Sequence, residues 1–265
     1  MTLIIISFVL LGIITGLLSG LLGVGGGLIT MPALLFAFPF LPIDPAFLFL
    51  VANATSLAII IMTAANLVYN HYRRGNLLWS PIRQLLPSIL IGVFTGAALA
   101  DSLPSKALRL AFAVFVLLIG IRMLFLVKPK PERGMPSFIV RNLVGFLIGA
   151  KSGAFGVGGG ALSTPFLLRC NFPIHRAIAC SAVFSLSIAV CASLTYFFLA
   201  MSHQVHLPYC IGYVYWPALL GVASTSGIFS PLGAKIASHL PPPLLKRLFG
   251  VFLLIVAADL FLGTH

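Results

Sequence analysis

The stretch SGLLGVGGGLITMPALL, residues 19–35, places four glycines among the five residues from Gly23 to Gly27, in the middle of an apolar run. Glycine in a helix interior costs about 1 kcal/mol relative to alanine, so this stretch is poorly suited to one continuous helix. The second half of the chain repeats the pattern in SGAFGVGGGALSTPFLL, residues 152–168. Because the same break occurs twice in matching surroundings, the two glycine runs are expected to serve a purpose in the fold.

The composition around these runs is that of a membrane protein. Of the 265 residues, 60% are hydrophobic and only 8% are charged, whereas a soluble domain carries about 25% charged residues. The formal net charge is +12, but the basic residues stand in short clusters between apolar runs. That distribution is typical of cytoplasmic loops beside a lipid bilayer and argues against a nucleic-acid partner. The chain is predicted to be an all-α integral membrane protein.

The two halves of the chain resemble each other over more than the glycine runs. The repeat predicts one membrane domain made of a first repeat at 1–127, a cytoplasmic linker at 128–137 and a second repeat at 138–265. Two pairs of segments carry it: GVGGGLITMP at 23–32 with GVGGGALSTP at 156–165, and GAALADSLPSKALRLAFAVFVLL at 96–118 with GAKIASHLPPPLLKRLFGVFLLI at 233–255.

Basic residues predict how the halves are oriented in the membrane. If each GVGGG run crosses within one helix, the halves are parallel and seven basic residues face each side. If each run is instead the tip of a hairpin, the halves are inverted, and twelve basic residues share one side against Lys106 and Arg109 alone. The positive-inside rule favours the second arrangement. The predicted fold is therefore two inverted repeats, each a glycine-tipped helical hairpin followed by three transmembrane helices.

The glycine tips are the first candidate binding site. Interrupted helices in inverted repeats are a recurring plan for secondary transporters. A helix starting at Leu28 or Ala161 would point its partially positive N-terminus, with free backbone N–H groups, at an anion near the midplane. Close packing of helices is the alternative use of the same glycines. The candidate substrate-binding residues are Gly25, Gly26, Gly27, Gly158, Gly159 and Gly160.

Polar side chains near the tips extend this candidate site. Lys151 lies inside an apolar segment that contains no acidic residue, where an anionic substrate would be a suitable partner and snorkelling to water is the alternative. The helix after each hairpin carries hydroxyl, amide and thiol groups that either donate to an oxyanion or hydrogen-bond to neighbouring helices. These residues are Asn53, Thr55 and Ser56 in the first half and Cys180 and Ser181 in the second.

The motifs together resemble the TauE/SafE sulfite-exporter family. The resemblance rests on the duplicated GVGGG, on NHYRRGNLLW at 70–79, on IGYVYWPALL at 211–220 and on PLGAKIASHLPPPLLKRLF at 231–249. It implies transport of sulfite or small organosulfur anions across the bacterial inner membrane, driven by an ion gradient with H⁺ or Na⁺ as the coupling ion. Lys151 departs from the family pattern, which leaves the exact anion open.

Three functions follow in order of preference. The first is a secondary transporter, expected to export small sulfur-containing anions, and the second is a passive small-anion channel, which would need a continuous polar pore. A membrane enzyme is third, because the only acidic residues are Asp44, Asp101, Glu132 and Asp259. We expect neither enzymatic activity nor a metal or other cofactor. The sequence carries no signal for an oligomeric state.

Overall fold

The computed structural model describes residues 2–22, 26–125, 134–205, 207–237 and 242–262. The described chain is almost wholly helical. Its helices are α1 Thr2–Leu22, α2 Gly27–Ala37, α3 Leu48–Arg73, α4 Trp79–Asp101, α5 Ser105–Leu124, α6 Phe138–Phe155, α7 Gly160–Arg169, α8 Ile174–Ser202, α9 Trp216–Ala237 and α10 Pro242–Leu262, with a short 3-10 turn at Phe38–Phe40. One antiparallel pair of strands, β1 Cys210–Ile211 and β2 Val214–Tyr215, precedes α9.

The helices have the length and surface of membrane spans. Among the described residues, α3, α4, α5, α6 and α8 are each long and apolar enough to cross a bilayer. Large apolar side chains such as Phe94, Phe198 and Ile228 are 60–71% exposed, which a lipid environment accommodates. The predicted class, an all-α membrane protein, is confirmed.

Each glycine run separates a long helix from a short one, α1 from α2 and α6 from α7, and three long helices follow each pair. The arrangement of the pairs as hairpins in inverted repeats stays a prediction. The returning helices begin at Gly27 and Gly160, one residue earlier than predicted in each half. Both are short, with 11 and 10 residues, so neither crosses a bilayer by itself.

Glycines outside the tips let helices pack closely. A Cβ at Gly92 or Gly96 of α4 would overlap backbone atoms of α6, and a Cβ at Gly12 or Gly16 of α1 would overlap backbone atoms of α9. The four-residue spacing within each pair is the small-residue pattern that brings membrane helices together. Close packing therefore explains these glycines, which are distinct from those of the GVGGG runs.

The equivalent helices α3 and α8 pack at the centre of the bundle in antiparallel orientation. The Nδ2 of Asn53, near the start of α3, lies 2.9 Å from the Oη of Tyr196, near the end of α8. The start of α3 and the ends of α4 and α8 share one end of the molecule, where Asp101 contacts His203. We call it the Asp101 end. The opposite end, where α3 finishes and α8 begins, is called the Arg74 end.

The basic side chains divide unequally between these two ends. Lys106 and Arg109 lie in the first turns of α5, at the Asp101 end. Lys128, Lys130 and Arg133 lie outside the described residues. The described basic residues that lie towards the Arg74 end, in helices or their caps, are Arg73, Arg74, Arg83, Arg122, Arg141, Arg169, Arg176, Lys235 and Arg247. Antiparallel packing and unequal charge are both what inverted repeats would produce.

Candidate functional site

The two glycine runs meet inside the bundle. A Cβ built on Gly27 would lie 2.6 Å from the backbone N of Gly158 and 3.2 Å from the carbonyl oxygen of Gly156, so no side chain fits between them. Gly26 and Gly156 have φ of 71° and 63°, a left-handed conformation that glycine adopts without steric cost. Gly159 has a helical φ of −57°, so a tight turn is not what requires glycine there. Gly25 lies outside the described residues.

The predicted polar residues of α3 are fully buried and hold the second tip. The Nδ2 of Asn53 donates to the carbonyl oxygen of Ala154 at 2.7 Å, and the Oγ of Ser56 donates to that of Gly156 at 2.9 Å. Thr55 accepts a 3.0 Å bond from the backbone N–H of Tyr215. In this conformation the three side chains bond to neighbouring elements, and they do not line the cavity described next.

A cavity of about 470 Å³ lies on the Arg74 side of the tips, between α1, α3, α8 and α9. It extends from Gly160, the first residue of α7, and Ser181 of α8 to His71 and Arg74 at the end of α3. The polar residues in its wall are Ser19, Thr63, Asn66, Asn70, His71, Arg74, Ser181, Ser185 and Ser230, and none of its described lining residues is acidic. Hydroxyls, amides and a guanidinium are groups that bind an oxyanion.

Ser181 belongs to a cluster of three hydroxyls at the tip end of the cavity. Its Oγ lies 2.9 Å from the Oγ of Ser163 and 2.9 Å from the Oγ1 of Thr164. Ser163 also donates to the carbonyl oxygen of Gly159 at 2.7 Å. Hydroxyl groups rotate, so the cluster can exchange a hydroxyl–hydroxyl bond for a bond to an anion, which is stronger because the acceptor is charged.

The first half has the same hydrogen bond from a hydroxyl to the carbonyl oxygen four residues earlier. The Oγ1 of Thr30 donates to the carbonyl oxygen of Gly26 at 3.1 Å, and the offset of 133 residues that aligns the GVGGG runs also aligns Thr30 with Ser163 and Gly26 with Gly159. A hydroxyl at the fourth position of each returning helix thus holds the carbonyl of its N-cap glycine. Aligning the two halves places Thr30 opposite Ser163, so the sequence could have indicated this shared hydroxyl, although the sequence analysis did not single it out.

Polar contacts connect the helices and the strand pair at the Asp101 end. The carboxylate of Asp101 lies 2.8 Å from the Nε2 of His203 and accepts a 3.1 Å bond from the hydroxyl of Tyr213. Burial, and then the nearby charge of Asp101, raise the pKa of Tyr213, so its phenol stays protonated and remains a donor. Deeper in, the hydroxyl of Tyr196 donates to the carbonyl oxygen of Gly153 at 3.0 Å.

Two predicted site residues face elsewhere. Lys151 lines a separate cleft of about 220 Å³ between α5, α6 and α7, together with Arg122 and Arg169. The thiol of Cys180 points at the carbonyl oxygen of Leu78, 3.5 Å away, in the connection between α3 and α4. The cavity therefore unites Gly160 and Ser181 from the predicted set with His71 and Arg74, which the sequence analysis quoted only as part of a family motif.

The chain is similar over nearly its whole length to proteins described as probable membrane transporters. The chain is 31% identical over 259 residues to a "Probable membrane transporter protein" of Haemophilus influenzae, covering 97% of this chain and 98% of that one. It is 28% identical to a protein of the same description from Methanocaldococcus jannaschii, over 90% and 88% of the two chains. The "Probable membrane transporter protein YtnM" of Bacillus subtilis is 29% identical, over 96% and 81%.

The family assignment covers nearly the whole chain. The model of the family described as "Sulfite exporter TauE/SafE" matches residues 8–260. That range includes both glycine runs, the cavity and the basic cleft. The chain is a membrane protein and belongs to the TauE/SafE sulfite exporter family.

Proposed function

We propose that this protein is a secondary transporter that exports small sulfur-containing anions, such as sulfite or organosulfonates, across the bacterial inner membrane. The substrate binds in the cavity beside the glycine tips, and a gradient of H⁺ or Na⁺ drives its movement. The observation that carries the proposal is the cavity itself. Its described wall combines hydroxyls and amides with Arg74 and the N-terminal residue of α7, and contains no carboxylate.

The chemistry of the cavity suits a small oxyanion. The first N–H groups of α7 have no partner within their own helix, and the partial positive charge of that terminus favours an anion. Gly160 brings backbone to the wall without a side chain, and the hydroxyl of Ser181 adds an adjustable donor. At about 470 Å³, the cavity has room for a sulfite or a small sulfonate with some of its water.

The orientation follows from charge. Basic loops remain on the cytoplasmic side, and described basic residues gather at the Arg74 end, so we assign that end to the cytoplasm. The antiparallel packing of α3 and α8 supports inverted repeats. The cavity then faces the cytoplasm, which is the conformation in which an exporter loads its substrate.

The difference between the halves supports a carrier mechanism. Ser56 and Ser181 align between the repeats, yet Ser56 is bonded to the second tip while Ser181 lines the cavity. Exchanging these two environments would close the Arg74 end and open the Asp101 end, as alternating access between inverted repeats requires. A passive channel would need a continuous polar path, and the contact between Gly27 and Gly158 interrupts it.

Thermal stabilisation of the purified protein tests the binding step. A ligand that binds only the folded protein stabilises it by about 2.7 kcal/mol at one hundred times its dissociation constant. We expect sulfite or a sulfonate to raise the melting temperature more than chloride at equal ionic strength. Arg74→Gln should weaken this binding about tenfold, the loss of one bond between charged groups.

Arg83→Gln is the matched control. It removes the same charge from an exposed residue at the same end that does not line the cavity. Equal weakening by Arg83→Gln and Arg74→Gln would mean that general surface charge, not the cavity, attracts the anion. Failure of every sulfur anion to stabilise the protein would overturn the proposed substrate class.

A further inference from the structure

Three cations share one lateral cleft that the transport proposal does not use. Arg122 of α5, Lys151 of α6 and Arg169 of α7 line the cleft, and all three side chains are exposed. None of them has an acidic partner among the described residues. Lys151 lies within a helix long and apolar enough to cross a bilayer, where a charged side chain is costly and is usually paired. A cleft that gathers three cations and no carboxylate among its described lining residues is therefore suited to an anionic ligand.

The position of the cleft indicates where that partner comes from. Near the second tip, α5 and α6 meet through Phe155, whose ring centroid lies 5.2 Å from that of Phe115 and 5.7 Å from that of Phe112. Arg122 lies two turns further along α5, so the cleft lies on the Arg74 side of this aromatic contact. Arg169 is the last residue of α7, at the same end.

The walls of the cleft are apolar and continue onto the lipid-facing surface. They consist of Val144, Leu147 and Ile148 from α6 and Leu162, Pro165 and Phe166 from α7. Leu147 is 45% exposed, and Leu143, one turn earlier on the same helix, is 56% exposed. One part of a ligand bound here would therefore contact the three cations, and another part would contact apolar side chains. The cleft lacks the hydroxyl-rich wall of the larger cavity.

We propose that this basic cleft binds the phosphate headgroup of an anionic membrane lipid, with Arg122 and Arg169 at the membrane surface and Lys151 reaching up from deeper in the cleft. An acyl chain lies along Leu143 and Leu147. Basic pockets between membrane helices on the cytoplasmic side are suited to such headgroups. The bound lipid fills the space between α5 and the second hairpin, so it stabilises the position of α6 and α7 against α5.

The test measures lipid binding to the purified full-length protein by native mass spectrometry. Phosphatidylglycerol and phosphatidylcholine with identical acyl chains are compared, and sn-glycerol 1-phosphate serves as a soluble headgroup. We expect phosphatidylglycerol to bind at least tenfold more tightly than phosphatidylcholine. Lys151→Met, which keeps an unbranched apolar side chain, and Arg169→Gln should each weaken phosphatidylglycerol binding about fivefold. Gel filtration checks that each variant is folded.

Arg176→Gln is the control, because it removes one charge from an exposed residue at the same end outside the cleft. Equal loss in Arg176→Gln and Lys151→Met would overturn the site. If glycerol phosphate binds as tightly as phosphatidylglycerol, the ligand is a soluble phosphate and the lipid is overturned. Displacement of the lipid by sulfite would assign the cleft to the transported anion. The results with the variants and with glycerol phosphate concern lipid binding alone, so they leave the proposed transport of sulfite untouched.

Discussion

Substituting Gly27 by alanine tests whether contact between the two tips is needed for transport. The added Cβ would lie 2.6 Å from the backbone N of Gly158 and 2.5 Å from the Cδ1 of Ile60. The end of the Ile60 side chain can move, but the backbone of Gly158 can move only with its tip. Reaching the 3.4 Å of an ordinary contact requires the tips to separate by about 0.8 Å.

The expected cost follows from that displacement. Overpacking by one methyl group in a close-packed interior costs about 1–3 kcal/mol. Gly227→Ala is the control for helix propensity in the unfolding measurement alone, because nothing lies within 4 Å of its added Cβ but Gly227 itself lines the cavity; alanine there should stabilise α9 by about 0.5–1 kcal/mol. Thermal unfolding in detergent is measured for both variants, and sulfite flux into proteoliposomes is measured for Gly27→Ala and the parent protein. Gly27→Ala should unfold at lower temperature and lose at least tenfold in flux. Full flux with unchanged stability would show that transport does not need close contact between the tips.

Three further predictions concern topology, substrate binding and closure. In a background without the native cysteines, a cysteine at Arg176 should be labelled only from the cytoplasm and one at Lys106 only from outside; labelling of both from one side would refute the inverted arrangement. Ser181→Ala should weaken sulfite binding about tenfold by thermal-shift titration, because a hydrogen bond to a charged group contributes about 1.5–3 kcal/mol, and unchanged affinity would remove Ser181 from the site. Asp101→Asn, which keeps the shape but loses the charge facing His203, should open the Asp101 end more often and increase labelling of a cysteine at Thr55 from outside. Equal labelling in both backgrounds would show that Asp101 does not hold that end closed.

The two helix breaks and the short helices after them could be predicted from sequence because several independent features agreed there. The glycine runs break a helix, the segments after them are too short to span, and each pattern appears twice. The helices begin within one residue of the predicted positions, at Gly27 and Gly160. Contact between the two tips could be anticipated as well, since a backbone without side chains lets another segment approach closely.

The inner surface of the site could not be predicted in the same way. In α3 and α8 apolar residues surround the polar ones on every face, so hydrophobicity does not tell which face points at a cavity. Ser56 and Ser181 occupy aligned positions, yet Ser56 is buried and bonded to Gly156 while Ser181 lines the cavity. A repeated sequence cannot carry that difference.

Lys151 illustrates the same limit for a charged residue. A helix residue turns about 100° from its neighbour, and α6 presents small or apolar residues on both its α4 side and its α5 side. Gly149 and Gly153 pack against α4, while Lys151, between them in sequence, faces the cleft beside α5. The packing of Gly149 and Gly153 against α4 sets the direction in which Lys151 points, and that direction cannot be predicted from the sequence of α6 alone.

Counterflow of radiolabelled sulfite in proteoliposomes tests whether the protein is a carrier for this anion. Vesicles loaded with unlabelled sulfite should accumulate the labelled anion above its external concentration, with saturable kinetics, and Arg74→Gln should require about tenfold more sulfite for half-maximal exchange than Arg83→Gln. Uptake that never saturates and shows no counterflow would contradict a carrier and indicate a passive channel. No uptake of sulfite or of any sulfonate by the folded protein would contradict the account altogether.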